Sequence, residues 1–481
     1  MKDPITPLEQ RLRDAERQFQ LAAQQLREAE QQKQAAAKQH RHAARRFCQL
    51  GGLALAAIVG SILFASRRPA YAQGTDLTSR VAALEAKLAY LTTSGTEMTI
   101  SGANLHIVNG MGSTPTKNGT GNLIIGYAEL RNNQTDDRSG SHNLVMGRLN
   151  NYSSWGGIVV GNQNNITGTY ACVEGGYGNT ASGAFANIGG GFNNTASGNS
   201  SYIGGGGANT ASGVTSSITG GNSNTASGPS AAVSGGYLNV ASVNSAYIGG
   251  GQNNQAKGIS SSITGGYGNI TNGNQSAISG GYLNTTTANG VLASISGGEN
   301  NAVDGLYASV SGGYLNTASS QAAWVGGGVQ NTAGAFYSSI SGGQLNSVTA
   351  SGASISGGLY NTVNQTFGSI SGGQHNTVNG SYGWIGGGKN NTVGGDSASV
   401  SGGDTNQATG MASSVTGGNG NTASNNYASI TGGYGNFATG IDSVVCGGYG
   451  NTAGGSNANG DFTTILGGLN ITVTTQYGHN P

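Results

Sequence analysis

"SVSGGYLNTAS", Ser309 to Ser319, is one copy of a short sentence that fills most of the chain. It pairs an aliphatic residue, Val310, with Gly312-Gly313, then Asn316, then a small apolar residue, Ala318. Marking the aliphatic before the Gly pair and moving outward leads back through Ile295 and Ile278 to Val145. In the other direction it leads through Val325 and Ile340 to Val445. These are 21 units, stepping by 14 residues twice and then by 15, with a single step of 17 between Ile278 and Ile295 and a degraded last unit at Ile465. A fixed period of this kind marks a solenoid.

The register within the unit sets the architecture. Six residues after each marked aliphatic stands an Asn, from Asn151 through Asn316 to Asn451. Two residues further on is Ala, Val or Thr (Ala181, Val348), and two residues before the aliphatic is Ala, Ser or Gly (Ala246, Gly368). Apolar residues two apart indicate strands. Gly-Gly breaks one end of the unit, and a looser Gly or Asn (Gly213, Asn425) breaks the other. Each unit is then one flat coil: short strand, Gly turn, short strand, second turn. The fold class expected is all-β, a parallel β-roll of ~15-residue coils stacked at about 4.8 Å. Twenty-odd coils make a rod of roughly 100 Å. The repeated Asn is expected to be structural: a ladder in which each amide bonds the next and satisfies backbone at the turn.

Composition agrees with a periodic fold. Of 481 residues 89 are Gly and only 8% are charged, without the three-residue period of collagen. Disordered chains usually carry high net charge and few β-branched residues; here the net charge is +1. Residues 1–97 hold 14 Lys+Arg against 9 Asp+Glu, and the remaining 384 hold 6 against 10. The long C-terminal part therefore has no basic footprint for nucleic acid. Cys48, Cys172 and Cys446 fit neither a disulfide framework nor a metal site.

The amino-terminal hundred residues differ. Residues 1–46 are charged, with a weak, Ala-rich heptad from Leu8 to Ala36 that reads as a helical coiled coil or a lone solvated helix. Residues 47–66, "FCQLGGLALAAIVGSILFAS", are uncharged and long enough to span a hydrocarbon core, flanked by Arg45-Arg46 and Arg67-Arg68. Two readings stand: a transmembrane helix or uncleaved signal anchor with a cytoplasmic amino terminus, or a signal sequence cut near Ala72 and a secreted chain. Both place the rest outside the cytoplasm, and the anchored reading puts the head on the cell surface. Residues 73–95 are expected to form a trimeric coiled-coil neck, with seam residues Leu77, Val81, Leu84, Leu88 and Leu91. Residues 96–144 are read as a non-repetitive cap, 145–468 as the β-roll and 469–481 as a tail.

Stretches such as "SYIGGGGANTASG" (Ser201 to Gly213) and "AYIGGGQNNQAKG" (Ala246 to Gly258) resemble the head repeats of YadA-type trimeric autotransporter adhesins. The features that correspond are the aliphatic row (Ile203, Ile248, Ile385) and the Gly after it (Gly204, Gly249, Gly386). The resemblance covers about two-thirds of the chain. It implies a left-handed parallel β-roll, a homotrimer, and attachment to extracellular matrix, glycans or other cells. The segment Arg80-Val81-Ala82-Ala83-Leu84-Glu85 is similar to a short trimerisation motif in which Arg and Glu pair across strands, so Arg80, Val81, Leu84 and Glu85 are the candidate trimer residues. The period is 15 rather than 14, the Gly is doubled, the coiled coil precedes the roll, and "GGLNITVTTQYGHNP" is no membrane barrel. The family's export mechanism therefore does not carry over.

Chemistry is sparse. "GGGKNNT" (Gly386 to Thr392) lacks phosphate-loop spacing, and His40 and His42, at i,i+2 on a helix, face apart. No catalytic, cofactor or metal residue is proposed, and the chain is read as a non-enzymatic surface rod. The candidate contact row lies four residues after the aliphatic: Tyr177, Tyr237, Tyr267, Tyr282, Tyr314, Tyr434 and Tyr449. Exposed Tyr suits recognition; the competing reading is that these rings only cover neighbouring coils. The alternative function is an ice-binding or ice-nucleation type of repeat, suggested by Thr180, Thr210, Thr317 and Thr392 and weakened where Val240, Gln255, Ile270 and Phe437 interrupt the row.

Overall fold

The computed structural model describes residues 73–131, 136–454, 462–475 and 479–480. The expectations for 1–46, for the apolar run 47–66 and for a cut near Ala72 lie outside these. The chain divides into two compact units, Met1–Leu105 and His106–Pro481. No helix among the described residues is long and apolar enough to cross a membrane.

In the first unit, helix α1 spans Gln73–Lys87. It stops short of the heptad, whose spacing predicts helix as far as Leu91. Leu91 instead opens strand β1 (Leu91–Ser94), which pairs antiparallel with β2 (Glu97–Ile100), Leu91 opposite Ile100. The cause is local. Leu91-Thr92-Thr93 is followed by Ser94-Gly95, and Gly95 at φ +58° supplies the left-handed residue of a two-residue hairpin loop. The neck 73–95 is therefore a four-turn helix followed by the first hairpin strand.

The second unit is the solenoid, and it begins before Val145. Strand β3 (Leu123–Ile125) pairs parallel with β4 (Leu144–Arg148), with Ile124 opposite Val145, so part of the expected cap is already a coil. The tail behaves likewise: Thr472–Val473 pairs with Thr452–Ala453, and His479–Asn480 with Thr464–Ile465. Arg131 ties the first coils together. Its guanidinium donates to Leu149 O at 2.6 Å, Gln163 O at 2.9 Å and Asn164 O at 2.8 Å.

Each coil contributes to two parallel sheets, as expected. In the Val310 coil, Ser309–Val310 pairs with Trp324–Val325 and Thr317–Ala318 pairs with Thr332–Ala333. A third ladder, one residue wide, runs between them through Glu299, Tyr314 and Val329, so the coil has three edges rather than two flat layers. Most backbone N–H groups donate one coil forward, as Ser309 to Ala323 O at 2.9 Å and Thr317 to Asn331 O at 2.8 Å. Leu315 and Ala322, both at φ +55°, turn their N–H groups back to Glu299 O and Leu306 O in the preceding coil. The left-handed corners thus complete the hydrogen bonding where the chain bends.

The core is a stack of thin layers. Ile340, Ala333 and Ala353 are wholly buried within the one chain. Small side chains on both inner faces let the sheets approach closely, and the columns run unbroken through the irregular steps. Ile278 pairs with Ile295 across 17 residues, the extra two being accommodated in a turn, and Val445 pairs with Ile465 across 20. One column carries a defect. Ser201, Ser216 and Ser413 occupy the place that Ala186 and Ala231 fill in other coils, and their buried hydroxyls have no hydrogen-bond partner. Ser216→Ala is expected to raise stability by about 1 kcal/mol, because it removes an unpaired hydroxyl and keeps a shape the column accepts. A lower guanidinium midpoint would contradict this.

Candidate contact surface

The Asn row is consumed by the fold, satisfying backbone at the turn as expected, but with little of the expected amide-to-amide bonding. Asn316 is fully buried. Its Nδ2 donates to Gly312 O and to Gly328 O, both at 2.9 Å, and its Oδ1 accepts the backbone N–H of Asn331 at 3.0 Å. The amide therefore clamps the Gly turn of its own coil and the backbone of the next. Amide-to-amide bonds appear only as secondary contacts, as from Asn361 Nδ2 to Asn346 Oδ1 at 3.2 Å. In the first two coils the ladder residues are Asn150 and Asn164, not Asn151 and Asn165: Asn164 N–H donates to Asn150 Oδ1 at 3.0 Å, while Asn151 and Asn165 are paired strand residues. These are the coils with a 14-residue step, and each carries an Asn doublet that hides the one-residue shift.

All seven tyrosines of the candidate row lie on the third ladder, and all face outward, exposed by 38–52%. Where two fall on consecutive coils they stack: Tyr267 on Tyr282 with centroids 5.2 Å apart, Tyr434 on Tyr449 at 5.0 Å. The same edge also carries Glu299, Lys389 and Asp404, so it is chemically mixed.

Two further aromatic rows escaped the sequence reading. One lies at the left-handed corner and includes Tyr170, Phe185, Phe367 and Tyr382, all with φ between +55° and +60°. Tyr170 stacks on Phe185 at 5.2 Å and Phe367 on Tyr382 at 5.1 Å. The other lies on the outer face of the Val310 sheet: Tyr202, Tyr247, Trp324 and Trp384, each about 40% exposed. In every one of these four coils the second outward residue, two positions on, is Gly: Gly204, Gly249, Gly326 and Gly386. Elsewhere on that sheet the pair is mostly Ser-x-Ser or Ser-x-Thr, as in Ser309/Ser311. A Cβ at these glycines would meet the next coil first, 2.5 Å from Ser341 O at Gly326 and from Ser401 O at Gly386, and in the two Trp coils the ring as well, 2.9 Å from Trp324 Cζ2 and 3.0 Å from Trp384 Cη2. The rings lie over bare backbone. Gly204, Gly249 and Gly386 are thus the floor under an aromatic row rather than turn residues. The readable signal was an aromatic, an aliphatic and a Gly in sequence.

Leu77, Val81 and Leu84 on α1 and Leu88 just past its end are exposed along one stripe, and with Arg80 and Glu85 they line an open, largely apolar groove. The four candidate trimer residues are therefore brought together on one helix face. Among the described residues no three His, Cys, Asp or Glu side chains converge. Burial pushes the Cys172 thiol above its usual pKa, and the Glu174 carboxylate adds to the shift, which disfavours the reactive thiolate. The chain matches no protein-family model and no curated protein sequence.

Proposed function

We propose that this chain is a non-enzymatic, membrane-anchored homotrimer whose solenoid projects outward for attachment or surface coating, as the resemblance to YadA-type heads implies. The observation that carries the reading is the fate of the polar groups. The repeated Asn amides are spent on backbone inside the coils, and the side chains left outside are rows of aromatic rings and hydroxyls along a register-locked scaffold. Such a scaffold sets length and repeats a surface. The solenoid core is complete within one chain, so the trimer is supported by the exposed Leu77, Val81, Leu84 and Leu88 stripe and not by any need of the roll. An isolated helix of this length is marginal in water, and self-association around that stripe would stabilise it.

Sedimentation of the full-length chain is expected to give three chain masses, and Leu84→Asp is expected to give one. A wild-type monomer would overturn the trimer. Particles coated with the full-length chain are expected to adhere to extracellular-matrix or cell surfaces to which uncoated particles do not. One observation favours the ice-binding alternative: Thr180, Thr195, Thr210 and Thr225 form four consecutive outward rungs. Val240, Gln255 and Ile270 then end the run. Thermal hysteresis without adhesion would favour that alternative.

A further inference from the structure

The outer face of the Val310 sheet differs from the other outward surfaces in its chemistry. From Asn187 to Thr431 its two outward columns contain no charged residue and no Leu, Ile, Val or Met. They hold Ser, Thr and Gly, with a few Ala and one Asn, interrupted by the four rings. The third ladder, by contrast, carries Glu299, Lys389 and Asp404, and the Thr sheet carries Lys257 and Asp304 on its outer side. A face without cations does not suit nucleic acid or an anionic polymer. Trp and Tyr also anchor protein partners, but such anchors cluster in one closely packed centre, whereas the four rings here stand singly along a line of small hydroxyl side chains.

Two of the rings are also tied to the preceding coil. Trp324 Nε1 donates to Ser311 Oγ at 3.4 Å, and Tyr247 Oη bonds Ser234 Oγ at 3.2 Å, each in the preceding coil. The bare Gly lets a ring lie down on the sheet with its other face to solvent. Counting the paired strands, Tyr202 and Tyr247 are three rungs apart, Tyr247 and Trp324 five, and Trp324 and Trp384 four. At ~4.8 Å per rung these are separations of about 14, 24 and 19 Å along one line.

We propose that this face binds a linear, neutral polysaccharide lying along the solenoid, with Tyr202, Tyr247, Trp324 and Trp384 as platforms for its sugar rings and the serine columns bonding its hydroxyls. A pyranose ring has an apolar face of C–H groups and an equator of hydroxyls. Flat aromatics between neutral hydroxyl columns complement both, and rings fixed beforehand lose little freedom on binding. The proposal names the partner chemistry of the attachment role and rests on that reading for its setting.

Two of the three tryptophans of the chain, Trp324 and Trp384, are on this face, so intrinsic fluorescence reports on it directly. The full-length chain is titrated with hydroxyethylcellulose and galactomannan, and its depletion by cellulose and chitin particles is measured, with heparin-agarose as the anionic comparison. Saturable binding to at least one neutral polymer, with a change in tryptophan emission and no retention on heparin, is expected. The variants W324S/G326S and W384S/G386S rewrite these coils as the Ser-x-Ser of their neighbours. Because a Cβ at either Gly meets the carbonyl of Ser341 or Ser401 at 2.5 Å, Trp324→Ser and Trp384→Ser with the Gly kept are measured beside them, and circular dichroism checks that each variant is folded. Each is expected to weaken binding roughly tenfold. Tyr314→Ser, on the third ladder, is expected to leave it unchanged. No binding to any of the four neutral polymers overturns the proposal. So does binding that survives both double variants, or a loss of oligomeric mass in those variants with glycan binding intact, which would assign the face to a second copy. Particle attachment that persists without polysaccharide binding removes this proposal alone. Polysaccharide binding without particle attachment supports the face and counts against the attachment role.

Discussion

Asn316→Ala is expected to cost about 3–5 kcal/mol, far more than the exposed side chains around it. The Asn316 amide makes three hydrogen bonds from a fully buried position. Removing it does not orphan all three partners. Gly328 O keeps the backbone N–H of Tyr314 at 2.9 Å. The N–H of Asn331 loses its bond to the amide in a buried place, and Gly312 O loses its own at a part-buried turn. Each buried group left unpaired costs about 1–3 kcal/mol, and the missing volume adds to that. Because the amide bridges two coils, the loss falls on the coupling between neighbours, on which a solenoid depends. Guanidinium unfolding followed by circular dichroism is expected to show an earlier transition, with the rod parting near this coil. Asn316→Asp separates the two halves of the amide. It keeps the acceptor for Asn331 but aims a carboxylate oxygen at the Gly312 and Gly328 carbonyls. At neutral pH its loss is expected to exceed that of Ala. Burial against carbonyls raises this carboxyl's pKa in the folded state above its unfolded value. The penalty therefore shrinks as pH falls through that raised value and the protonated group regains a donor. An Ala variant within about 0.5 kcal/mol of the wild type would mean that the ladder contributes little.

What could be read in "SVSGGYLNTAS" and what could not follow from the same physics. Val310 and Ala318 were legible as core because alternation with period two is a strand signal, and both are buried. Asn316 was legible as structural because its type recurs in every unit. Its bonding was not, since an amide has equal means to bond another amide or a backbone group. The third ladder could be counted as a row of recurring Tyr but had no strand signature: one residue per coil has no alternation to detect, and Tyr314, Val329 and Gln344 share nothing but position. The corner rows were hidden for a related reason. Gly and Asn announce a positive φ, whereas Leu315, Tyr337 and Phe367 do not, yet all three adopt it. Strong flanking ladders hold them there. At the amino end, apolar residues at heptad spacing predicted helix through Leu91, and a β-branched pair before Ser94-Gly95 overruled it.

The candidate surface shows the same division. Tyr267 and Tyr434 could be placed outward by counting from the aliphatic, and they are outward. The cleaner face was countable too, one residue to either side of each aliphatic, but its uniformity shows only when the coils are stacked. It depends on which residues share a plane once the chain has turned twice. Trp324 and Trp384 are 60 residues apart in sequence and four rungs apart on one sheet. Their common neighbour, a Gly two positions on, acquires meaning only when the ring is seen above it.

Gly312 and Gly313 are adjacent and identical, and the largest contrast in the molecule is expected between them. Gly313 sits at φ +88°, and a Cβ there would lie 2.2 Å from Gly328 O and 2.6 Å from Asn316 Nδ2. Neither contact can relax cheaply: one partner is backbone and the other is the clamped ladder amide. Gly313→Ala is expected to cost about 3–6 kcal/mol, summing a disallowed backbone conformation with overpacking against the next coil. The damage should spread to the ladder, because the shift needed to clear the methyl moves the Gly328 carbonyl to which Asn316 donates. Gly312, one residue earlier, has no left-handed φ, and a Cβ there would meet nothing within 4 Å. Gly312→Ala is expected to stay within about 1 kcal/mol of the wild type, with any gain coming from a stiffer unfolded chain. Open space around Gly312 leaves its own repetition without a steric reason. The pair is compared in one guanidinium series on the full-length chain, with the double variant to test additivity. Gly313→Ala should shift the first transition to low denaturant while Gly312→Ala overlays the wild type. Equal losses in the two single variants would mean that the turn tolerates a side chain at either position, and that the coil spacing on which the outer face depends is set elsewhere.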